Sequence, residues 1–210
     1  MKLYLSSYKI GGKKEIQQLK NLIPPNNKTA YISNALDFSN DIERRKANEQ
    51  EDIDQLNQVG LNVEELDLRK HFKNPKKLEN DIKKYGVIWV SGGNVFVLRQ
   101  AMKLSGFDKL LNKLATENNN ILYGGYSAGV CVLAPNLKGL ELVDSIDYHP
   151  YAQQQEIIWE GLSLINYSVI PHYKSNHPES ELINKVVDLY KTNNTPFKTL
   201  RDGEVIILDS

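Results

Sequence analysis

Two short, uninterrupted apolar runs that end in glycine constrain the fold of this chain more than any other feature. Val87–Val90 leads directly into Ser91-Gly92-Gly93, and residues 121–123 lead directly into Gly124-Gly125. Unbroken apolar runs are typical of strands that are covered on both faces, as in parallel sheets. Helical spacing resumes after each glycine turn, so both runs are predicted to be central strands of an α/β fold.

The rest of the N-terminal part of the chain repeats this alternation of strand and helix. Strands are predicted at residues 3–5, 29–32 and 63–68, and helices at residues 13–22, 40–59, 94–103 and 107–116. Because strands that alternate with helices form parallel sheets covered by helices, the expected fold class is α/β. The expected architecture is a three-layer αβα sandwich with a mostly parallel central sheet, similar to flavodoxin.

The pattern changes after Pro135. Strands are predicted at residues 140–146 and 164–170, a helix at residues 181–190, and two short strands at residues 197–200 and 205–208. Asp202-Gly203, which lies between the last two strands, is typical of a two-residue turn. A short C-terminal β-hairpin at one edge of the sheet is therefore expected.

Composition excludes several classes of protein. The 210 residues include 26 basic and 26 acidic side chains, and this balance argues against a nucleic-acid-binding protein. No stretch approaches ~18 apolar residues, so no membrane span is expected. The single cysteine, Cys131, favours a cytoplasmic location, and the four histidines lack zinc-ligand spacing, so neither a metal nor a cofactor is expected. The length favours one domain over residues 1–210.

The segment Gly125-Tyr126-Ser127-Ala128-Gly129 fits the pattern G-x-S-x-G and directly follows a predicted strand. A strand, a sharp turn and a helix in this order are the context of a nucleophile elbow. The glycines leave room for a sharply turned serine, and the N-terminus of the helix supplies N–H groups for a developing oxyanion. Ser127 is the candidate nucleophile, although a glycine-rich turn can also be purely structural.

The turn Ser91-Gly92-Gly93-Asn94 follows the other buried strand. Neighbouring parallel strands end at the same edge of a sheet, where ligands bind, so its N–H groups can point at an oxyanion formed near Ser127. A tight turn that only needs positive φ explains the same residues equally well. Asn94 and Tyr126, which flank the two turns, are predicted to contact substrate.

A serine nucleophile needs a base and an acid that orients it. His172 is the candidate base because it follows an apolar, strand-like run and so lies at a strand end. The residues alone leave the acid open between Asp144, its neighbour Asp147 and Asp202, with Glu141 a weaker choice. Asp202 also has a purely structural interpretation as the first residue of the predicted turn.

Together these residues resemble peptidase family S51, the dipeptidase E (aspartyl dipeptidase) group. Its relatives include cyanophycinase, and its fold resembles that of the class I glutamine amidotransferases. The resemblance is carried by residues 90–94 with Phe96, residues 123–129, Pro135-Asn136, Val143-Asp144 and residues 171–173.

The resemblance implies a role for each of these residues. It places the nucleophile at Ser127, the base at His172 and the acid at Asp144, with Asp202 as the alternative acid. It also implies an oxyanion hole formed by Gly92, Gly93 and Ala128.

Two departures from the family pattern concern substrate choice. Ser91 stands where the family usually has the first glycine of Gly-Gly-Gly-Asn, and the segment after His172 offers Lys174 and His177 but no arginine. Lysine is a poorer bidentate clamp for a carboxylate than arginine. Lys174 and His177 are therefore predicted to bind substrate and to give only a modest preference for acidic N-terminal residues.

The expected function is that of a serine-type dipeptidase or peptidase that hydrolyses short peptides, including Asp-X dipeptides. The alternatives are a cyanophycinase-like or esterase-type serine hydrolase and a catalytically silent member that acts as a binding module. The expected partner is a small peptide substrate, with no nucleic acid and no membrane. The expected oligomeric state is a monomer or a homodimer.

Overall fold

The centre of the molecule is a six-stranded, mostly parallel sheet. The computed structural model describes residues 1–117 and 120–209. The strands lie in the order β3-β2-β4-β5-β1-β8, and only β8 runs antiparallel to its neighbour, β1. The sheet strands are β1 (Lys2–Ser6), β2 (Lys28–Ile32), β3 (Asn62–Glu65), β4 (Val87–Val90), β5 (Leu122–Tyr126) and β8 (Val205–Leu208).

Helices cover both faces of this sheet. They are α1 (Lys13–Leu22), α2 (Ile42–Gln58), α3 (Pro75–Ile82), α4 (Val95–Ser105), α5 (Phe107–Thr116), α6 (Ala128–Cys131) and α7 (Ser180–Thr192). The buried core on one face includes side chains of α1 and α2, and the core on the other face includes side chains of α3 to α7. The expected three-layer αβα sandwich is thus confirmed.

The alternation of side chains along the central strands explains the two cores. In β4, Ile88 packs on the face of α3 to α7, whereas Trp89 packs on the face of α1 and α2. In β1, Leu5 packs on the face of α3 to α7, and Tyr4 packs on the face of α1 and α2. All four side chains are at most 1% exposed, which is why these strands read as unbroken apolar runs.

The predicted strand at residues 140–146 is wrong. The segment begins instead with a one-turn 3₁₀ helix, Leu140–Leu142. The N–H groups of Val143 and Asp144 donate to the carbonyl of Leu140, so local turns satisfy the backbone without a neighbouring strand. Of the strand predicted at residues 164–170, only β6 (Ser168–Ile170) forms.

The two C-terminal strands do not pair with each other as the predicted hairpin requires. β7 (Phe197–Thr199) pairs in parallel with β6 in a separate two-stranded sheet, whereas β8 pairs with β1 in the central sheet. The tight turn at Asp202-Gly203 is present, since the N–H of Glu204 donates to the carbonyl of Arg201 at 2.9 Å. This turn therefore carries the chain from one sheet to the other.

Helices long and apolar enough to cross a membrane are absent from the part of the chain that the structure describes.

Candidate active site

Ser127 lies on a sharp turn between β5 and α6. Its backbone has φ +50° and ψ −118°, a conformation that is strained for a residue with a side chain. The turn is closely packed: a Cβ on Gly129 would lie 2.3 Å from the carbonyl oxygen of Val90, so only glycine allows α6 to approach β4 this closely. The predicted strand–turn–helix context of the serine is thus present.

The carboxyl ends of β4, β5 and β1 meet at one edge of the sheet, because β5 pairs in parallel with both of the other strands. This edge carries a cleft of about 160 Å³. The cleft is lined by Tyr8, Lys9, Leu36, Asn48, Gly92, Gly93, Tyr126, Ser127, His172, His177 and Glu179. Ser127, His172, His177 and the Gly92-Gly93 turn therefore come together as the sequence predicts.

His172 is paired with Asp202. The Nδ1 atom of His172 lies 2.7 Å from Oδ1 of Asp202, and the imidazole is buried while the carboxylate is one-quarter exposed. The pairing of β6 with β7 produces this contact, because it continues past the strands: the N–H of Tyr173 donates to the carbonyl of Leu200 at 3.0 Å. Asp202, two residues after Leu200, therefore lies beside the imidazole ring of His172.

Ser7, at the end of β1, fixes both members of this pair. Its hydroxyl accepts a hydrogen bond from the backbone N–H of His172 at 2.8 Å and donates one to Oδ1 of Asp202 at 2.8 Å. Ser175 adds a further contact, since its hydroxyl accepts from the backbone N–H of Asp202 at 2.8 Å. Ser7 thus holds the carboxylate of Asp202 and Ser175 holds its backbone, in a position to orient the imidazole.

Asp144, the first choice for the acid, is placed elsewhere. Its Oδ2 accepts a hydrogen bond from the backbone N–H of Val95 at 2.8 Å, at the N-terminus of α4. No hydrogen bond or ion pair joins it to His172 among the described residues. Burial raises the pKa of Asp144 to about 7, partly offset by the Val95 N–H. The assignment of Asp144 as the partner of His172 is therefore replaced by Asp202.

Asn94 also belongs to the start of α4. Its Oδ1 accepts from the N–H groups of Phe96 and Val97, and its Nδ2 donates to the carbonyl of Ser145. The side chain is buried and does not line the cleft. Its role is that of a helix cap rather than the predicted substrate contact.

The rings of His172 and His177 are stacked, with centroids 3.7 Å apart and planes within 8° of parallel. Burial lowers the pKa of His172, the nearby His177 lowers it further, and Asp202 opposes both effects. A lowered pKa keeps the imidazole neutral at neutral pH, which is the form that can accept a proton. Nε2 of His172 remains free of Asp202 and faces the carboxylate of Glu179 at 4.0 Å.

Two backbone N–H groups beside Ser127 have no intramolecular hydrogen bond among the described residues, those of Gly93 and Ala128. Gly92 leaves the space they need, since a Cβ there would lie 3.0 Å from Cβ of Ser127. Gly93 has φ +136°, which favours glycine. Each of the two turns next to Ser127 therefore has one free N–H donor, and an oxyanion hole requires such donors.

The cation that lines the cleft is Lys9, not the predicted Lys174. Lys174 is exposed, with its Nζ over the ring of Tyr173. Lys9 forms ion pairs with Asp52 at 2.6 Å and Glu51 at 3.2 Å. Burial works against the ammonium ion, but these two carboxylates raise the pKa of Lys9 overall.

Asp52 connects Lys9 to the residue before the nucleophile. Its Oδ2 accepts hydrogen bonds from the hydroxyls of Tyr126 at 2.6 Å and Tyr31 at 2.7 Å. Tyr126 lines the cleft as predicted, with its ring, but its hydroxyl is committed to Asp52. The hydrogen bond to Asp52 therefore holds the side chain of Tyr126 in place directly before the turn at Ser127.

Sequence reasoning missed Ser7, Tyr8, Lys9 and Glu179. The first three directly follow β1, so the rule that placed Ser127 and Gly92 at strand ends would also have found them once β1 was taken as the neighbour of β5. Glu179 lies in the loop before α7, and nothing in its sequence context distinguishes it from the surface carboxylates.

The chain is an α/β sandwich whose strand ends bring a strained serine into one cleft with a histidine that is paired with a carboxylate. The model of peptidase family S51 matches residues 5–210, so the chain belongs to that family and is a peptidase by membership. The resemblance drawn from the sequence is confirmed at this level.

Individual relatives agree with this assignment. An uncharacterized peptidase of Pasteurella multocida is 29% identical over 73% of this chain and 69% of its own length. An uncharacterized peptidase of Listeria monocytogenes is 34% identical over 64% of this chain and 62% of its own length.

Solved structures support the fold. A crystal structure of a protein from Listeria monocytogenes EGD-e, provisionally named peptidase E, covers 100% of this chain and 98% of its own, with a TM-score of 0.73 and 25% identity. A peptidase from an acI-B1 Actinobacterium covers 99% of this chain and 82% of its own, with a TM-score of 0.67 and 18% identity, and shares the fold.

Proposed function

We propose that this chain is a serine peptidase that cleaves short peptides with a free N-terminus, using Ser127, His172 and Asp202. The observation that carries the proposal is the 2.7 Å contact between His172 and Asp202 in the cleft that also holds the strained Ser127. A nucleophile, a base and an orienting acid in this relation are the parts of a catalytic triad.

Each residue has a defined step. Nε2 of His172 accepts the proton of the Ser127 hydroxyl as its oxygen attacks the scissile carbonyl, and the same nitrogen then returns the proton to the leaving amine. A water molecule deprotonated by His172 next hydrolyses the acyl-enzyme and frees Ser127. Asp202 keeps the proton on Nδ1, so that Nε2 stays an acceptor. The Ser127 hydroxyl has no hydrogen bond to His172 among the described residues, so the proposal requires this contact to form when substrate binds.

The N–H groups of Gly93 and Ala128 stabilise the oxyanion of the tetrahedral intermediate. Loss of a single donor of this kind costs about 10²–10³ in turnover in well-studied hydrolases. Because both donors belong to the backbone, their positions depend on the glycine turn and on the first residue of α6.

The charges of the cleft favour a free α-ammonium group. Glu179 lines the cleft with its side chain 40% exposed, and its ion-pair contacts among the described residues are with His172 and His177 rather than with lysine or arginine. Lys9, by contrast, is already neutralised by two carboxylates. A carboxylate that contacts only histidines, 4.0 Å from Nε2 of His172, suits the amino terminus of a short peptide. The cleft of about 160 Å³ holds little more than one residue.

The same charges weaken the case for strict Asp-X specificity. The expected clamp residue Lys174 is outside the cleft. The positive charge of Lys9 is already balanced by Asp52 and Glu51, so it attracts a substrate carboxylate only weakly. We therefore propose broad cleavage of short peptides, with at most a small preference for acidic N-terminal residues.

A fluorophosphonate probe and a dipeptide panel test the proposal together. The wild-type chain should be labelled at Ser127 and should cleave X-Leu dipeptides with X as Asp, Glu, Asn, Ala and Lys, whereas Ser127→Ala should do neither. Acetylated versions of the cleaved dipeptides serve as the control for the free amino terminus. Absence of labelling in folded wild-type protein would favour the binding-module alternative.

A further inference from the structure

Three side chains with metal-binding atoms converge at the mouth of the cleft: those of His172, His177 and Glu179. One ligand atom from each lies within 4.8 Å of the others. Oε2 of Glu179 is 4.0 Å from Nε2 of His172 and 4.0 Å from Nδ1 of His177. Among residues 1–117 and 120–209, this is the one group of three or more such side chains with atoms this close.

The donor set is that of a transition-metal site. Two imidazoles and one carboxylate are typical ligands of Zn²⁺, with a fourth position left open. His172 is already oriented as a metal-binding histidine would be, because its Nδ1 faces the carboxylate of Asp202 and leaves Nε2 available. Nδ1 of His177 carries a lone pair, which accepts a long hydrogen bond from the N–H of Glu179 at 3.3 Å, and this bond has to break for Nδ1 to bind a metal.

Binding requires the three ligand atoms to move closer together and the His177 ring to turn out of its parallel stack on His172, because lone pairs in parallel ring planes do not converge on one ion. Zinc–nitrogen bonds of about 2.0–2.1 Å in tetrahedral geometry place two ligand atoms about 3.3 Å apart. The 4.0 Å separations of Glu179 Oε2 from the two histidine nitrogens therefore need to shrink by about 0.7 Å. Glu179 is 40% exposed and His177 20% exposed, both in the segment before α7, so these are the side chains that have to move, while His172 stays held by Asp202.

We propose that the cleft binds one divalent transition metal ion, best matched by Zn²⁺, through His172, His177 and Glu179, and that the bound ion inhibits the peptidase. Inhibition rests on the proposed function: a metal on Nε2 occupies the lone pair that must accept the proton of Ser127, and it also removes Glu179 from the substrate. Metal and peptide should therefore compete for the cleft, whereas the binding itself does not depend on catalysis.

Zinc binding is measured directly on metal-stripped protein by titration calorimetry with ZnCl₂. One Zn²⁺ per chain is expected, weakened at least about tenfold in both His177→Ala and Glu179→Gln, since each removes one ligand. His149→Ala and Glu181→Gln are the matched controls, because they remove a histidine and a neighbouring carboxylate outside the cleft, and they should bind like the wild type. No binding, or binding that both cleft variants leave unchanged, would overturn the site.

The inhibitory role is tested on the same wild-type preparation. Zn²⁺ should slow both dipeptide cleavage and fluorophosphonate labelling of Ser127, and EDTA should restore both. Acceleration by Zn²⁺, or no effect at a concentration that fills the site, would overturn inhibition. Failure of the proposed function is distinguishable, because it would appear as no labelling in the presence of EDTA, whatever the zinc titration shows.

Discussion

Asp202→Asn is the substitution that most directly tests the proposed site. The change keeps the side-chain volume but removes the carboxylate whose Oδ1 both lies 2.7 Å from Nδ1 of His172 and accepts the hydrogen bond of Ser7. When the amide nitrogen takes the place of Oδ1, it donates to Nδ1, and the ring then carries its proton on Nε2, while the Ser7 hydroxyl is left with the carbonyl of Leu200 as its acceptor. A protonated Nε2 cannot accept the proton of Ser127.

The expected loss is large because the tautomer, not merely the position, of His172 changes. The equivalent substitution in a well-studied triad lowers turnover by about 10⁴. At about 1.36 kcal/mol for each factor of ten, this corresponds to about 5.4 kcal/mol of transition-state stabilisation. The 2.7 Å contact with a buried imidazole makes a loss of this order reasonable here.

The assay is kcat/KM on a cleaved X-Leu dipeptide together with the rate of fluorophosphonate labelling, both measured in EDTA. Asp144→Asn is the matched control, since it makes the same chemical change at the N-terminus of α4. Urea unfolding of both variants shows that each is folded. Near-wild-type rates for Asp202→Asn, or an equal loss in Asp144→Asn, would refute the assignment of the acid.

The remaining predictions use other parts of the site. Ser7→Ala should lower kcat about tenfold with little change in KM, because it removes one bond to Asp202 and one from the backbone of His172; an unchanged kcat would show that Ser7 does not position the pair. Lys174→Met should leave the X-Leu profile unchanged at pH 6 and pH 8, since the side chain lies outside the cleft; selective loss of Asp-Leu cleavage would restore it as a clamp. Because the folded-state pKa of Asp144 is raised from 3.8 to about 7, its stabilising contribution is present at low pH and is lost as the pH rises through that window. Relative to the wild type, Asp144→Asn should therefore gain about 2–3 kcal/mol in free energy of unfolding between pH 5 and pH 8 by urea denaturation, and a constant difference would contradict the buried, protonated carboxyl group.

Much of the fold is readable from the sequence because local patterns and the layered architecture agree. The unbroken run Val87–Val90 and the glycine elbow at Ser127 lie where the sequence predicts, since each is set by its own burial and backbone geometry. At residues 140–146, by contrast, the strand predicted from the sequence does not form. Their apolar side chains resemble a strand, but turns within the segment satisfy the backbone, and none of the strands in the described part of the chain pairs with it.

The identity of the acid could not be predicted in this way, because no local sequence pattern distinguishes the acid that contacts His172 from the other candidates. Asp144 and Asp202 are both single carboxylates near turns, and Asp202-Gly203 is explained equally well by turn preference alone. The deciding contact depends on the parallel pairing of β6 with β7, two strands of three residues each. Strands this short leave little periodicity in the sequence from which to derive their register.

The same turn explains why Asp202 can hold its place so accurately at the end of such short strands. On one side, the ladder of β6 and β7 continues to the bond between Tyr173 and Leu200. On the other side, β8 pairs with β1 in the central sheet, next to Ser7. The turn is thus anchored to both sheets, and Ser7 joins them by contacting His172 and Asp202 at once. Orientation of the proposed base therefore depends on the last strand of the chain, even though no residue of that strand lines the cleft.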